Sequence, residues 1–222
     1  MEKKRIAIIG GTGKEGKGLA YRWAKAGHEI CIGSRSVEKA QLAADEIEAM
    51  ADDGNQFQIY SMENSDAAEW GEVIVLTIPY AAHAEMLTQI KSYVQGKVVV
   101  DVTVPLNPPK VSVIKIPEGG SVALQTQTIL GESVKVISAF QNISFELLLQ
   151  DKPIECDVLV CGSDKETRIL GLQLVEDAGL DAWDAGPLEN AIIAEGLTSI
   201  LIRLNKQYDT HSAGIQITGI EK

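Results

Sequence analysis

Short apolar runs alternate with helical stripes over the first two thirds of the chain. Ile6-Ala7-Ile8-Ile9 is a continuous apolar run and predicts a strand. A helical pattern follows over residues 14–26, closed by Gly27, a residue favoured just past a helix C-terminus. Residues 29–33 predict a second strand, 37–50 a second helix with Leu42, Ile47 and Met50 among its apolar positions, and 57–60 a third strand. Val73-Ile74-Val75-Leu76-Thr77-Ile78 is almost unbroken, the pattern of a strand covered on both faces in a parallel sheet, and Pro79 stops it. A helix over 82–94, a strand over 97–104, a proline-rich loop over 105–117, a helix over 121–130 and a strand over 134–140 continue the series. Such alternation is how βαβ units read. The expected fold is α/β, a Rossmann-type doubly wound, mainly parallel sheet.

Beyond residue 140 the pattern changes. A strand over 156–161, a helix over 166–178, a turn at Asp184-Ala185-Gly186-Pro187 and a long helix over 188–208 are expected. Ile193, Leu197, Ile200, Leu201 and Leu204 recur on one face of that last helix. From Asp209 onward no pattern is clear. The expected organisation is a first domain over 1–145 and a smaller C-terminal α+β domain over 146–222. The last helix has more apolar surface than a small domain covers, which favours a homodimer.

Composition narrows the class. The net charge of -11 repels nucleic acids and anionic membranes, so neither is an expected partner. No apolar run approaches the ~20 residues of a membrane helix. The charged start, Met1 to Arg5, precedes only the four apolar residues 6–9, too few for a secretory signal. Cys31, Cys156 and Cys161 are odd in number and form no C-x-x-C pair. Free buried thiols in a reducing cytoplasm, with no zinc site, are expected.

The first helix opens on Gly11-Thr12-Gly13-Lys14-Glu15-Gly16, a G-x-G-x-x-G pattern directly after a strand. In that context each glycine has a task. Gly11 makes the tight turn, Gly13 lets the backbone approach a pyrophosphate, and Gly16 lets helix and strand pack closely. The helix N-terminus supplies free N–H groups and partial positive charge to the phosphates. An NAD site places an acid at the end of the second strand to hold the ribose 2′-hydroxyl. Here that place reads Gly33-Ser34-Arg35-Ser36, without a carboxylate. A 2′-phosphate suits it better. Arg35 can clasp it with its planar fork, Ser34 adds a hydroxyl, Lys39 follows one helical turn later, and Thr12 closes the pocket. NADP(H) is therefore favoured over NAD(H).

Together with Gly16-Lys17-Gly18-Leu19-Ala20, Gly27-His28-Glu29-Ile30, Val75-Leu76-Thr77-Ile78-Pro79, Val160-Cys161-Gly162 and Asp184-Ala185-Gly186-Pro187-Leu188, these motifs closely resemble the F420-dependent NADP reductases. The likeness runs over nearly the whole chain. It implies hydride transfer between the nicotinamide C4 of NADPH and C5 of the deazaflavin F420. It also implies Thr12 to Glu15, Ser34, Arg35 and Lys39 on the adenosine and phosphate half, and Ile78, Pro79 and Val104 along the nicotinamide half. Gln141, Asn142, Ile143 and Leu188 are the expected contacts of F420. Many relatives have a histidine where this chain has Gln141, so a flavin stays open as the second carrier.

No nucleophile–base pair or metal-ligand cluster stands out. His28 follows Gly27 at a helix end, where capping explains it, His83 and His211 are isolated, and Asp101 has no partner in sequence. Hydride exchange between two bound carriers depends on positioning more than on a protein acid or base, so no catalytic side chain is expected. Two other readings remain: an NADPH-dependent reductase of a flavin or other small substrate, and a non-enzymatic NADP(H) sensor. The apolar set Ile78, Pro79, Val104, Ile143 and Leu188 favours an enzyme, since a sensor needs no second slot.

Overall fold

The structure, a computed structural model, describes residues 2–51 and 56–220. The strands are β1 (Arg5–Ile9), β2 (Glu29–Ser34), β3 (Gln58–Glu63), β4 (Val73–Leu76), β5 (Val98–Asp101), β6 (Lys135–Ser138), β7 (Asp157–Gly162) and β8 (Asp181–Gly186). They form one sheet in the order β3-β2-β1-β4-β5-β6-β7-β8. Every neighbouring pair is parallel except β6 and β7, where Ile137 faces Gly162 and Ser138 faces Cys161. The order reverses at β1 and β4, the switch point where open α/β sheets bind ligands beyond their carboxyl ends.

Helices cover both faces, as the continuous apolar strands require. Ile6, Ile8, Ile30 and Ile32 point to one layer, formed with α1 (Lys14–Lys25), α2 (Val37–Glu48) and α7 (Lys165–Asp177). Ala7, Ile9, Ile74 and Leu76 point to the other, formed with α3 (Asn64–Trp70), α4 (Tyr80–Ile90) and α5 (Val122–Leu130). Trp23 anchors the first layer. Its ring meets Phe140 edge-on at 5.6 Å, and its indole N–H donates to Leu174 O at 2.8 Å. His28, just after α1, is no mere cap: its Nδ1 accepts from the Lys4 N–H, and its Nε2 lies 2.9 Å from buried Asp177 of α7.

The sheet continues across residue 145, the expected domain boundary, through the antiparallel β6–β7 pair. Three predicted strands end earlier than their apolar runs. β4 stops at Leu76, β5 at Asp101 and β6 at Ser138. The residues beyond stay apolar because they line a cavity instead of joining a ladder. Two short helices, α3 and α6 (Phe145–Leu148), were not predicted, being too short to show a helical stripe. The expected turn at 184–187 is mostly the end of β8, which runs through Gly186 into a 3-10 helix, Leu188–Asn190, before α8 (Ala191–Tyr208).

All three cysteines are buried and free. Burial pushes the Cys31 thiol up to about 12 and Cys161 up to about 11. Among the described residues no helix is long and apolar enough to cross a membrane.

Candidate functional site

The site begins where β1 ends. Gly10 takes a left-handed conformation at φ +72°, and a Cβ there would sit 2.5 Å from the Ile78 side chain. The Gly10 N–H donates to Asn64 Oδ1 at 3.2 Å, and the Gly11 N–H donates to Gly33 O at 3.0 Å. A Cβ on Gly11 would lie 2.8 Å from Ile8 O, and one on Gly16 would lie 2.7 Å from Gly11 Cα. Glycine at both positions is what lets α1 start this close to the sheet. Gly13, the N-cap of α1, differs: a Cβ there would meet nothing nearer than 3.9 Å. Its missing side chain opens space outward, above the helix terminus.

No side chain caps α1. Ser36 caps α2 by accepting from the Lys39 N–H, and Ser121 caps α5 by accepting from the Leu124 N–H. The first-turn N–H groups of α1 thus face open space with the helix dipole behind them, the geometry that holds a phosphate. The cradle fits a dinucleotide pyrophosphate. Thr12 lies half-buried in the turn, and Lys14 Nζ stands 4.7 Å from the Phe145 ring centroid.

Ser34 closes β2 and is buried, its Oγ accepting from the Ser36 N–H at 3.3 Å. Arg35 and Lys39 are exposed, and neither joins an ion pair among the described residues. Arg35 precedes the cap of α2, so the helical spacing expected between it and Lys39 does not apply.

A cavity of about 620 Å³ opens beside the cradle, at the carboxyl edge of the sheet. Ile78 and Pro79 after β4, Val104 after β5, and Gln141, Asn142 and Ile143 after β6 all line it, together with Glu15. Leu188 does not. It is buried in the core with Cys161 and Ala191. The reason is direction: β7 and β8 run opposite to β6, so the chain leaving β8 at Gly186 heads away from the ligand edge.

Phe140 turns the chain after β6. It has φ 71°, unusual for a residue with a Cβ, and costs on the order of 1 kcal/mol. Its packing against Trp23 holds it there and aims Gln141 at the cavity. Gln141 Nε2 donates to Asp101 O and to Ser138 Oγ, both at 2.8 Å, while Oε1 is enclosed with no partner. An unpaired buried acceptor beside a cavity is suited to a ligand N–H. Asn142 is committed elsewhere, its Nδ2 donating to Asp157 O at 2.7 Å to hold β7.

Asp101, unpaired in sequence, meets His83 at 2.8 Å and accepts from the Thr126 hydroxyl at 2.5 Å and the Thr103 N–H at 2.9 Å. Burial alone would push its carboxyl up, but these hydrogen bonds hold it below the usual carboxylate range. The network fixes the backbone of Thr103 at the cavity wall. Opposite, α8 supplies Thr198, Leu201, Ile202 and Asn205. Thr198 Oγ1 donates to Gln141 O at 2.6 Å. The expected single apolar face of α8 is therefore divided. Leu201 enters the cavity, whereas Ile193, Ile200 and Leu204 are exposed. Residues after Asp209 also contribute: His211 and Ala213 line the cavity, and Ile215 O accepts from the Asp157 N–H at 2.8 Å. Thr198, Ile202 and Asn205 recur at helical spacing, the sequence signal for this wall. Nothing in the sequence pattern signals His211.

Glu195 joins α8 to α5. Its carboxylate accepts from the Val122 N–H at 2.8 Å and the Ala123 N–H at 3.1 Å. Burial nevertheless pushes its carboxyl up to about 7.

Comparison with known proteins agrees with this geometry. Residues 5–105 match the family described as NADP oxidoreductase coenzyme F420-dependent. The F420-dependent NADP reductase of Methanocaldococcus jannaschii is 42% identical, over 98% of this chain and 99% of that protein. The enzyme of the same name from Methanothermobacter thermautotrophicus is 37% identical, over 97% and 95%. A crystal structure described as a putative F420-dependent NADP reductase from Arthrobacter sp. FB24 superposes with TM-score 0.81 at 25% identity, covering 97% of this chain and 100% of that one. Pyrroline-5-carboxylate reductase from Coxiella burnetii, at TM-score 0.63 and 16% identity over 93% and 69% of the two chains, shares the fold. This chain belongs to the F420-dependent NADP reductase family.

Proposed function

We propose that this chain transfers a hydride between NADP(H) and the deazaflavin coenzyme F420. One observation carries the reading beyond the family: the uncapped, glycine-lined start of α1 opens directly into a largely apolar cavity bordered by both halves of the chain. A nucleotide lying across the carboxyl edge takes its pyrophosphate on α1 and its 2′-phosphate on Ser34, Arg35 and Lys39. Its nicotinamide half passes Ile78, Pro79 and Val104. The space between those residues and the α8 wall takes a second flat ring, and Gln141 Oε1 is an acceptor available to it.

The two carriers supply the redox chemistry. The protein's part is to hold the rings face to face and to exclude water. Asp101 and Phe140 serve this by fixing the segments that carry Thr103 and Gln141. Residues 146–222 complete the nicotinamide end from above. The apolar residues left exposed on α8 form the contact of a homodimer, and light scattering of Ile193→Glu checks it. A cytoplasmic location goes with free buried thiols.

The test is to mix purified protein with NADPH and F420 and follow the F420 absorbance, with FMN and FAD in parallel. Loss of the F420 band, much slower with NADH, is the expected result. Turnover with a flavin alone replaces the second carrier. Tight NADPH binding without any turnover favours a sensor.

A further inference from the structure

Glu15 is the anomaly of the site. It occupies the first turn of α1, two residues beyond Gly13, and lines the same cavity as Ile78, Pro79 and Val104. Although the residue is only half-buried overall, its Oε1 is enclosed and has no hydrogen-bond partner. Around it, Lys14 turns its ammonium to the Phe145 ring, and Tyr80 and His211 face the cavity from α4 and the C-terminal segment. Asp101 and Glu195 lie deeper and spend their oxygens on Thr103, Thr126, His83, Val122 and Ala123. None of these groups is hydrogen-bonded to Glu15.

A carboxyl left without a partner in a pocket is expensive in its charged form. The nucleotide changes charge in this pocket: the reduced nicotinamide ring is neutral, and the oxidised ring carries one positive charge. We propose that Glu15 reads that difference, staying protonated beside the reduced ring and ionising beside the oxidised one. The proposal rests on the nucleotide reading given above.

Its chemistry is a single proton transfer, R-COOH to R-COO⁻ plus H⁺. The direction fits the free protein, where burial pushes the Glu15 carboxyl up to about 8, so it is largely neutral at pH 7. The negative phosphates oppose ionisation equally in both redox states. Only the ring charge differs between them, so it alone sets the contrast. During turnover the proton that Glu15 releases equals the one the acceptor ring needs on nitrogen after taking a hydride on carbon. Charge and atoms then balance, and Glu15 recovers its proton from solvent when the nucleotide exchanges.

The test needs no second carrier. Protons released on binding NADP⁺ and on binding NADPH are counted near pH 7 by calorimetry in buffers of different ionisation enthalpy. Wild type should release close to one proton per site more with NADP⁺ than with NADPH. The Glu15→Gln variant, an uncharged isostere of the protonated acid, should lose the difference whatever its absolute affinity for NADPH. In wild type the ratio of NADP⁺ to NADPH affinity should rise about tenfold per pH unit below the Glu15 value, and be flat in the variant. Equal proton counts in wild type, or a difference that survives Glu15→Gln, overturn the proposal alone. Failure to bind either nucleotide overturns the nucleotide reading together with it.

Discussion

Replacing Glu195 by glutamine should change how stability depends on pH. The carboxyl is buried between α5 and α8 and held above its ordinary value of 4.5, at about 7, chiefly by burial and against the two backbone N–H groups it accepts from. Between those two values the folded protein keeps a proton that the unfolded chain has released. Stability contributed by this group is therefore full below about 4.5 and is lost as pH rises through 7. At about 1.4 kcal/mol for each tenfold change in proton affinity, the span from 4.5 to about 7 amounts to ~3 kcal/mol. Glutamine cannot ionise, so its own contribution is flat. It also cannot accept from both N–H groups, and leaving one unpaired costs about 1–3 kcal/mol at every pH. Glu195→Gln should thus be the less stable protein at pH 5 and close the gap, or pass wild type, by pH 8. Urea denaturation of both proteins at half-unit steps from pH 5 to pH 8 measures this. Taking the difference cancels other groups that titrate in the window, Glu15 among them. Parallel curves for the two proteins would refute the assignment of Glu195 as the titrating group.

Other perturbations have equally definite outcomes. Arg35→Ala should weaken NADPH about 10- to 100-fold, as loss of a solvent-exposed charge-assisted clasp does, and leave NADH nearly unchanged. Fluorescence titration with both nucleotides checks it, and equal losses contradict a 2′-phosphate at this site. Gly16→Ala places a Cβ 2.7 Å from Gly11 Cα and 2.9 Å from Gly11 O, backbone atoms that no rotamer change can clear. It should cost about 1–3 kcal/mol in urea and raise the NADPH Kd more than tenfold. Asp101→Ala removes the acceptor of His83, Thr126 and the Thr103 N–H together. A loss of about 3–5 kcal/mol is expected, and a loss below 1 kcal/mol in the same denaturation assay would show that the network is dispensable.

The glycine cradle at the start of α1 was legible because its signals are local. A strand, a glycine pattern and a helix start follow one another within residues 6–16, and the end of β2 lies a few residues from Arg35. The second half resisted for two physical reasons. First, its elements meet across the sheet: His83 finds Asp101, Glu195 finds the start of α5, and His28 finds Asp177, at separations no periodicity reveals. Second, the strand reversal at β7 cannot be read from composition, since β7 is about as apolar as the parallel strands β5 and β6 before it. Leu188, which the resemblance places on F420, lies in the core because the chain after β8 emerges at the opposite edge. The cavity wall from α8 also hid behind a stronger pattern. Ile193, Leu197, Ile200 and Leu204 form the more apolar stripe, while the mixed stripe Thr198, Ile202 and Asn205 faces the site.

The reversal of β7 also divides labour along the chain. Because β7 and β8 run against the other strands, α8 begins away from the ligand edge and climbs back to it, and the segment after it crosses the start of β7. The residues proposed for the phosphates of the nucleotide lie before residue 40, and much of the cavity wall opposite Ile78, Pro79 and Val104 comes from residues 140–145 and 198–213. On the proposed reading the two binding tasks are largely separate along the chain. Exchange of the sequence after β6 should then retune the second carrier while leaving the proposed phosphate grip in place.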